Sequence, residues 1–215
     1  SASWALAEVV AAAVGADHRR AVHHLVTEPL GLPAFLGIDD TVADVADLVV
    51  VADGAVTADM GEATFDGLLR FNDRDNRALG VPGAGGFATA ADLVRLYQGF
   101  LTNPGALWRA ELLDDARGRV RVRDEDVLRG APAMRTRAFM VATDDGHAPR
   151  RGMGVNAGPR TFGHDGAAGQ VAWADPDLAL SVAYLPAGID PDIIRLMTRS
   201  VSVSTRARRV VAPDR

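Results

Sequence analysis

Cysteine and lysine are both missing from the 215 residues of this chain. Without cysteine there is no disulfide, thiol nucleophile, cysteine-ligated zinc or iron–sulfur cluster, and the redox compartment leaves no trace. Without lysine, all 23 basic residues are arginine, so no lysine base and no Schiff base can come from this chain. Long apolar runs are lacking too, since none approaches the roughly 18 residues of a membrane span. The opening "SASWALAEVVAAAVGA" is largely apolar, but Glu8 interrupts it and no basic region leads it, so it does not read as a signal peptide. Positive charge is not in excess: the net charge is −5, and a nucleic-acid footprint is not expected. What remains, 48% hydrophobic and 24% charged, is the balance of a globular domain. The length suits one large domain or one and a half small ones.

The chain opens directly in a helical pattern, with Trp4, Leu6, Val9, Val10 and Ala13 spaced for one face. A helix with no lead-in points to a cut or processed beginning. Gly15 stops it, and Asp17 can cap a second helix through "HRRAVHHLVTE", ending before Pro29. "PLGLPAFLGI" follows as an apolar turn segment. "DDTVADVADLVVVADG" fits helix and strand alike. "EATFDGLLRF" reads as a short helix and "NDRDNRALG" as a polar loop. "GVPGAGGFATAADLVRLYQGFL" passes from a glycine-rich turn to a helix capped by Thr89, with Asp92 nearly completing a capping box. Leu93, Leu96, Tyr97 and Phe100 share one face of that helix. "GALWRAELLDDAR" predicts another helix, and "RVRVR" and "AFMVAT" predict strands. "QVAWADP" and "LALSVAYL" form a hairpin over a "DPD" turn. A helix from Pro191 to about Ser202 closes the chain, and the polar tail beyond it is expected to fray.

Two features invite a ligand. "GVPGAGGFAT" precedes a helix, as phosphate-binding loops do, but it lacks the lysine of one motif and the GxGxxG spacing of the other. It reads instead as a tight turn packed close to the sheet. Of the five histidines, His18, His23 and His24 share a helix. His23 and His24 point about 100° apart, which does not suit a shared metal. His147 lies in a polar loop. No HExxH spacing exists, and no metal or other cofactor is expected. His164 differs. It stands at the start of a sheet, followed by Asp165, Gly166 and Ala167, with glycines at 163, 166 and 169 that permit close approach of a backbone or ligand. Two readings stand: an oxyanion-binding strand edge, or a histidine that only hydrogen-bonds at a strand end.

"FGHDGAAGQVAWADPDLALSVAYLPAG" resembles the third active-site motif of the serine β-lactamase-like proteins: class C β-lactamases, penicillin-binding proteins and family VIII carboxylesterases. Their Lys-Thr-Gly or His-x-Gly would be His164-Asp165-Gly166 here, the His-x-Gly form being more like the esterase and peptidase branches. "VTEPLGLPAFLGI", "VPGAGGFATAADLVRLYQGFL" and "SASWALAEVVAAAVG" are similar to other family segments, in the family's order, so the resemblance spans essentially the whole chain. It implies an α+β fold: helices, then the antiparallel strands and closing helix of a β-lactamase/transpeptidase-like domain. That domain would have a mainly helical part at 1–115, the sheet and C-terminal helix at 116–204, and a tail at 205–215.

The resemblance also implies a serine hydrolase working through an acyl-enzyme on a small-molecule ester or amide. His164 would line the pocket, and the catalytic set on this chain would be His164, Gly166 and Ala167, with the Ala167 N–H as an oxyanion donor. The family nucleophile lies in Ser-x-x-Lys, which a lysine-free chain cannot contain. Neither Tyr97 nor Tyr184 fits the second motif. Family order puts both motifs before residue 1, together with the first strands and the nucleophile helix. This chain alone is then expected to be inactive, to need an N-terminal segment or second chain, and to carry an open edge along the 178–186 strand. Any targeting signal would also lie upstream, leaving localisation open with the cytoplasm favoured. A non-catalytic binding or scaffold relative is the alternative.

Overall fold

The computed structural model describes residues 2–39, 41–51 and 64–212. Helices come first. Helix α1 (Ala2–Val14) is stopped by Gly15 in the left-handed region. Asp17 caps α2 (His18–Val22), its carboxylate accepting the Arg19 N–H at 2.9 Å. The chain then widens into a π-turn over His23–Thr27 and tightens into a 3-10 turn over Glu28–Leu30 that accommodates Pro29.

The ambiguous stretch lies partly outside the described residues; its described part carries a two-residue strand, β1 (Val49–Val50), parallel to β8 (Gly188–Ile189). The helix expected over 62–71 begins outside the described residues; its described part is α3 (Phe65–Leu69), capped by Thr64. The loop expected over 72–80 is largely helical, as α4 (Arg74–Leu79). Asn76 and Arg77 donate to the carbonyls of Arg70 and Phe71, so polar side chains that read as loop residues tie this turn to the one before it. Helix α5 (Ala90–Thr102) starts as the sequence predicts: the Thr89 hydroxyl accepts the Asp92 N–H at 3.1 Å and donates to the Asp92 carboxylate at 2.7 Å. Helix α6 (Ala110–Gly118) follows.

The strands β2 (Glu125–Asp126) and β3 (Ala131–Pro132) form a small hairpin. The main sheet is antiparallel, in the order β4 (Met140–Val141), β5 (Phe162–Asp165), β6 (Val171–Asp175), β7 (Leu180–Tyr184). The strand expected at "RVRVR" shrinks to a bridge between Val122 and Arg135, which in turn bridges Met140. Arg119 and Arg121 turn aside there to pair with Asp115.

Strand alternation divides the side chains between two helices. Phe162, Ala172 and Ala174 face α5 and build a core with Tyr97 and Val141, walled by Phe100 and Phe139. Trp173 faces the other way, onto α7 (Ile193–Val211), where its indole N–H donates to the Ser204 hydroxyl at 3.0 Å. Helix α7 therefore does not end near Ser202, and the expected tail at 205–215 is helical as far as Val211. Its buried residues, Leu196, Ser200, Ser204 and Arg208, recur every four positions. Ser200 donates to the Gly169 carbonyl at 2.6 Å, and Arg208 donates to Asp175 at 3.0 Å. This buried face is polar, which is why it read as a tail. Among the described residues, β7 pairs with β6 alone, and no helix is long and apolar enough to cross a membrane.

Candidate active site

His164 sits near the end of β5 on the α5 face, with its side chain 48% exposed. Tyr97 is buried beneath this strand, its ring stacked on Phe162 at 6.2 Å, and burial raises its pKa. The ring stands with Nδ1 2.5 Å from the Asp165 carbonyl, so Nδ1 carries the proton in this contact. Nε2 faces outward, 3.5 Å from the Arg135 guanidinium.

Asp165 points to the opposite face and meets Arg129 in a two-pronged ion pair at 2.7 and 2.9 Å. Burial pulls the Arg129 pKa down, but Asp165 and Asp126 together outweigh it and leave the pKa raised. Asp126 accepts from Arg135 at 3.2 Å. Burial raises its carboxyl, and the Arg135 bond and the Arg129 charge bring it below its ordinary value.

Beyond Asp165 the chain turns back into β6. The Gly166 N–H bonds the Gln170 carbonyl at 2.7 Å, and the Gly169 N–H bonds the Gly166 carbonyl at 3.0 Å. Ala168 is buried against Ile189 and Leu196. Ala167 stands exposed at the tip, and its N–H has no hydrogen-bond partner among the described residues. His164, Gly166 and Ala167 thus lie together on one exposed strand end, with an uncommitted backbone donor two peptides beyond Asp165. Gly163 is required for a different reason. A Cβ there would lie 2.6 Å from the Trp173 Cα, so the glycine lets the two strands close under the indole.

The other candidates are occupied elsewhere. His18 bonds the Gly80 carbonyl at 2.9 Å, His23 bonds Thr27 at 2.8 Å and His24 bonds Glu28 at 2.9 Å. The glycine-rich turn packs against the first helices rather than near the sheet: a Cβ on Gly83 would strike Ser3, and one on Gly80 would strike Arg19. Among the described residues no group of histidine and carboxylate side chains could hold a metal. A hollow of about 520 Å³ lies along α7, lined in part by Met197, Val201 and Arg206, on the face of the sheet away from His164. Tyr97 is the core residue that its place on the α5 face predicts, whereas sequence reasoning missed Asp126, Arg129 and Arg135 entirely. The aspartate and arginines sit in a run of charges where nothing local singles them out.

Comparison with known proteins decides the family. The profile described as Beta-lactamase matches residues 1–191. The chain belongs to the β-lactamase family. Similar solved structures include EstA from Arthrobacter nitroguajacolicus Rue61a, 21% identical over 96% of this chain and 58% of that one, with a TM-score of 0.67. A penicillin-binding protein homologue from Caulobacter crescentus is 21% identical over 94% of this chain and 56% of that one, at 0.69. EstCE1, a hydrolase with promiscuous acyltransferase activity, is 18% identical over 93% of this chain and 54% of that one, at 0.61. These likenesses establish the β-lactamase/transpeptidase-like fold. The chain spans less than three-fifths of the length of these structures. None of the curated proteins is similar to it at a significant level.

Proposed function

We propose that the intact protein is a serine hydrolase of the esterase type, and that this chain supplies one wall of its acyl-transfer site. The observation that carries the reading is the unpaired, exposed Ala167 N–H, held at a strand end beside His164. In this reading a serine from an upstream Ser-x-x-Lys segment, or from a second chain, attacks the carbonyl of an ester or amide. The carbonyl oxygen gains negative charge and is received by the Ala167 N–H together with the serine's own N–H. The tetrahedral intermediate expels its leaving group, and water cleaves the acyl-enzyme. Gly166 keeps the approach to the donor clear. His164 lines the pocket with Nε2 outward, placed to orient a substrate carboxylate or to tune the tyrosine–lysine pair.

The test is hydrolysis of p-nitrophenyl butyrate by the full-length protein, by its His164→Ala variant and by residues 1–215 alone. Turnover is expected from the first, a loss of at least about tenfold in kcat/KM from the second, and none from the third. Equal rates in the variant would remove His164 from the site. Ligand binding without turnover, with the Ser-x-x-Lys and Tyr positions replaced upstream, would make the protein a non-catalytic relative.

A further inference from the structure

A closed circuit of charge surrounds the end of β5 and is not used by the chemistry above. From His164 it passes to Arg135 at 3.5 Å, from Arg135 to Asp126 at 3.2 Å, from Asp126 to Arg129 at 3.3 Å, and from Arg129 to Asp165 at 2.7 Å. It leaves one residue of the His-Asp-Gly segment and returns to the next. Its strongest link is the Arg129–Asp165 fork, whose side chains are only 12% and 15% exposed. Arg129 is also locked in place: it donates to the Arg150 carbonyl at 2.7 Å, and Arg150 donates back to the Arg129 carbonyl at 2.6 Å.

Stability alone is a poor reason for such a pair, because apolar replacements of a buried ion pair are often neutral or stabilising. Its position offers a better one. The turn beyond Asp165 is anchored on its far side, by buried Ala168 and by the Ser200 bond to the Gly169 carbonyl, while Ala167 at its tip is exposed and bonded to nothing among the described residues. An oxyanion donor works when it is aimed before the charge develops, and a donor at an exposed tip needs its near side fixed as well as its far side. A planar guanidinium gripping both carboxylate oxygens fixes distance and angle together.

We propose that Arg129 is a positioning residue that acts through Asp165 to aim the Ala167 N–H at the oxyanion of the reacting ester. The proposal rests on the acyl-transfer reading of Ala167. In the full-length protein, Arg129→Met is expected to lower kcat for p-nitrophenyl butyrate by about 10- to 100-fold with KM within about twofold. The Kd of 1-butaneboronic acid, which mimics the tetrahedral intermediate, should rise by a similar factor. Amide hydrogen exchange should quicken in the peptide spanning 163–171 and stay unchanged in β7. Arg129→Lys should recover only part of the loss, since an ammonium cannot grip both oxygens. Should Arg129→Met not fold, Asp165→Asn supplies the same comparison.

Unaltered kcat, a fall in kcat without loss of boronate affinity, or unaltered exchange in the turn would each overturn the positioning role alone. Absence of turnover in the unsubstituted protein would overturn the acyl-transfer reading and take this role with it.

Discussion

Gly163 and Gly166 stand three residues apart in one motif and answer to different constraints. At Gly163 the added methyl of alanine would meet the backbone of Ala172 and Trp173, which the β5–β6 ladder holds fixed. At Gly166 it would meet Gln170 Oε1 at 2.8 Å, the far end of a side chain that can swing away. Gly163→Ala should therefore cost about 3 kcal/mol of stability, the upper end of overpacking effects, and Gly166→Ala less than about 1 kcal/mol. Urea denaturation of the two variants measures the difference; equal midpoints would refute the argument. Sequence alone gave both glycines one role, close approach. Only the partner across the ladder separates them, and that partner is 10 or fewer positions away in the chain but unrelated in pattern.

The elements best legible in the sequence were those whose signal is local. Helix α5 was marked by the Thr89 cap and by Leu93, Tyr97 and Phe100 on one face, and the β6–β7 hairpin by alternation about a turn. Helix α7 was half legible. Its buried stripe of Leu196, Ser200, Ser204 and Arg208 becomes intelligible only against its partners, the Gly169 and Gly152 carbonyls, Trp173 and Asp175. For the candidate site, the motif alone names His164, Gly166 and Ala167 as candidates, whereas Arg129 and Arg135 come from a distant hairpin and its flank. Arg208 offers a test at this scale. Asp175 is fully buried beneath it, so Arg208→Met should destabilise by about 3 kcal/mol through the carboxylate left unpaired. Adding Asp175→Asn should return most of that loss. Thermal unfolding of the single and double variants checks the cycle, and simple additivity would contradict it.

Across the whole molecule, Arg151 ties separate segments together. It is fully buried and donates to the carbonyls of Pro132 and Ala142 as well as to Asp145. The guanidinium holds the Asp145 carboxyl at a pKa of about 2, down from 3.8. A carboxylate stabilised in the folded state contributes fully above its unfolded pKa. This contribution, about 2 kcal/mol, is thus complete above about pH 4 and is lost as the pH falls through about 2. Asp145→Asn should flatten the acid limb of the stability curve in that window, as read by urea midpoints from pH 5 to pH 2. A limb of unchanged slope would assign the acid sensitivity to other groups. The same whole-molecule view gives the one-sided pairing of β7 a consequence for stoichiometry. The opposite margin of the sheet continues into the bridges at Arg135 and Val122, so the two borders are not alike. A surface that joins only to itself closes after two copies about a twofold axis. Any association through an uncovered β7 border would therefore be limited to two copies.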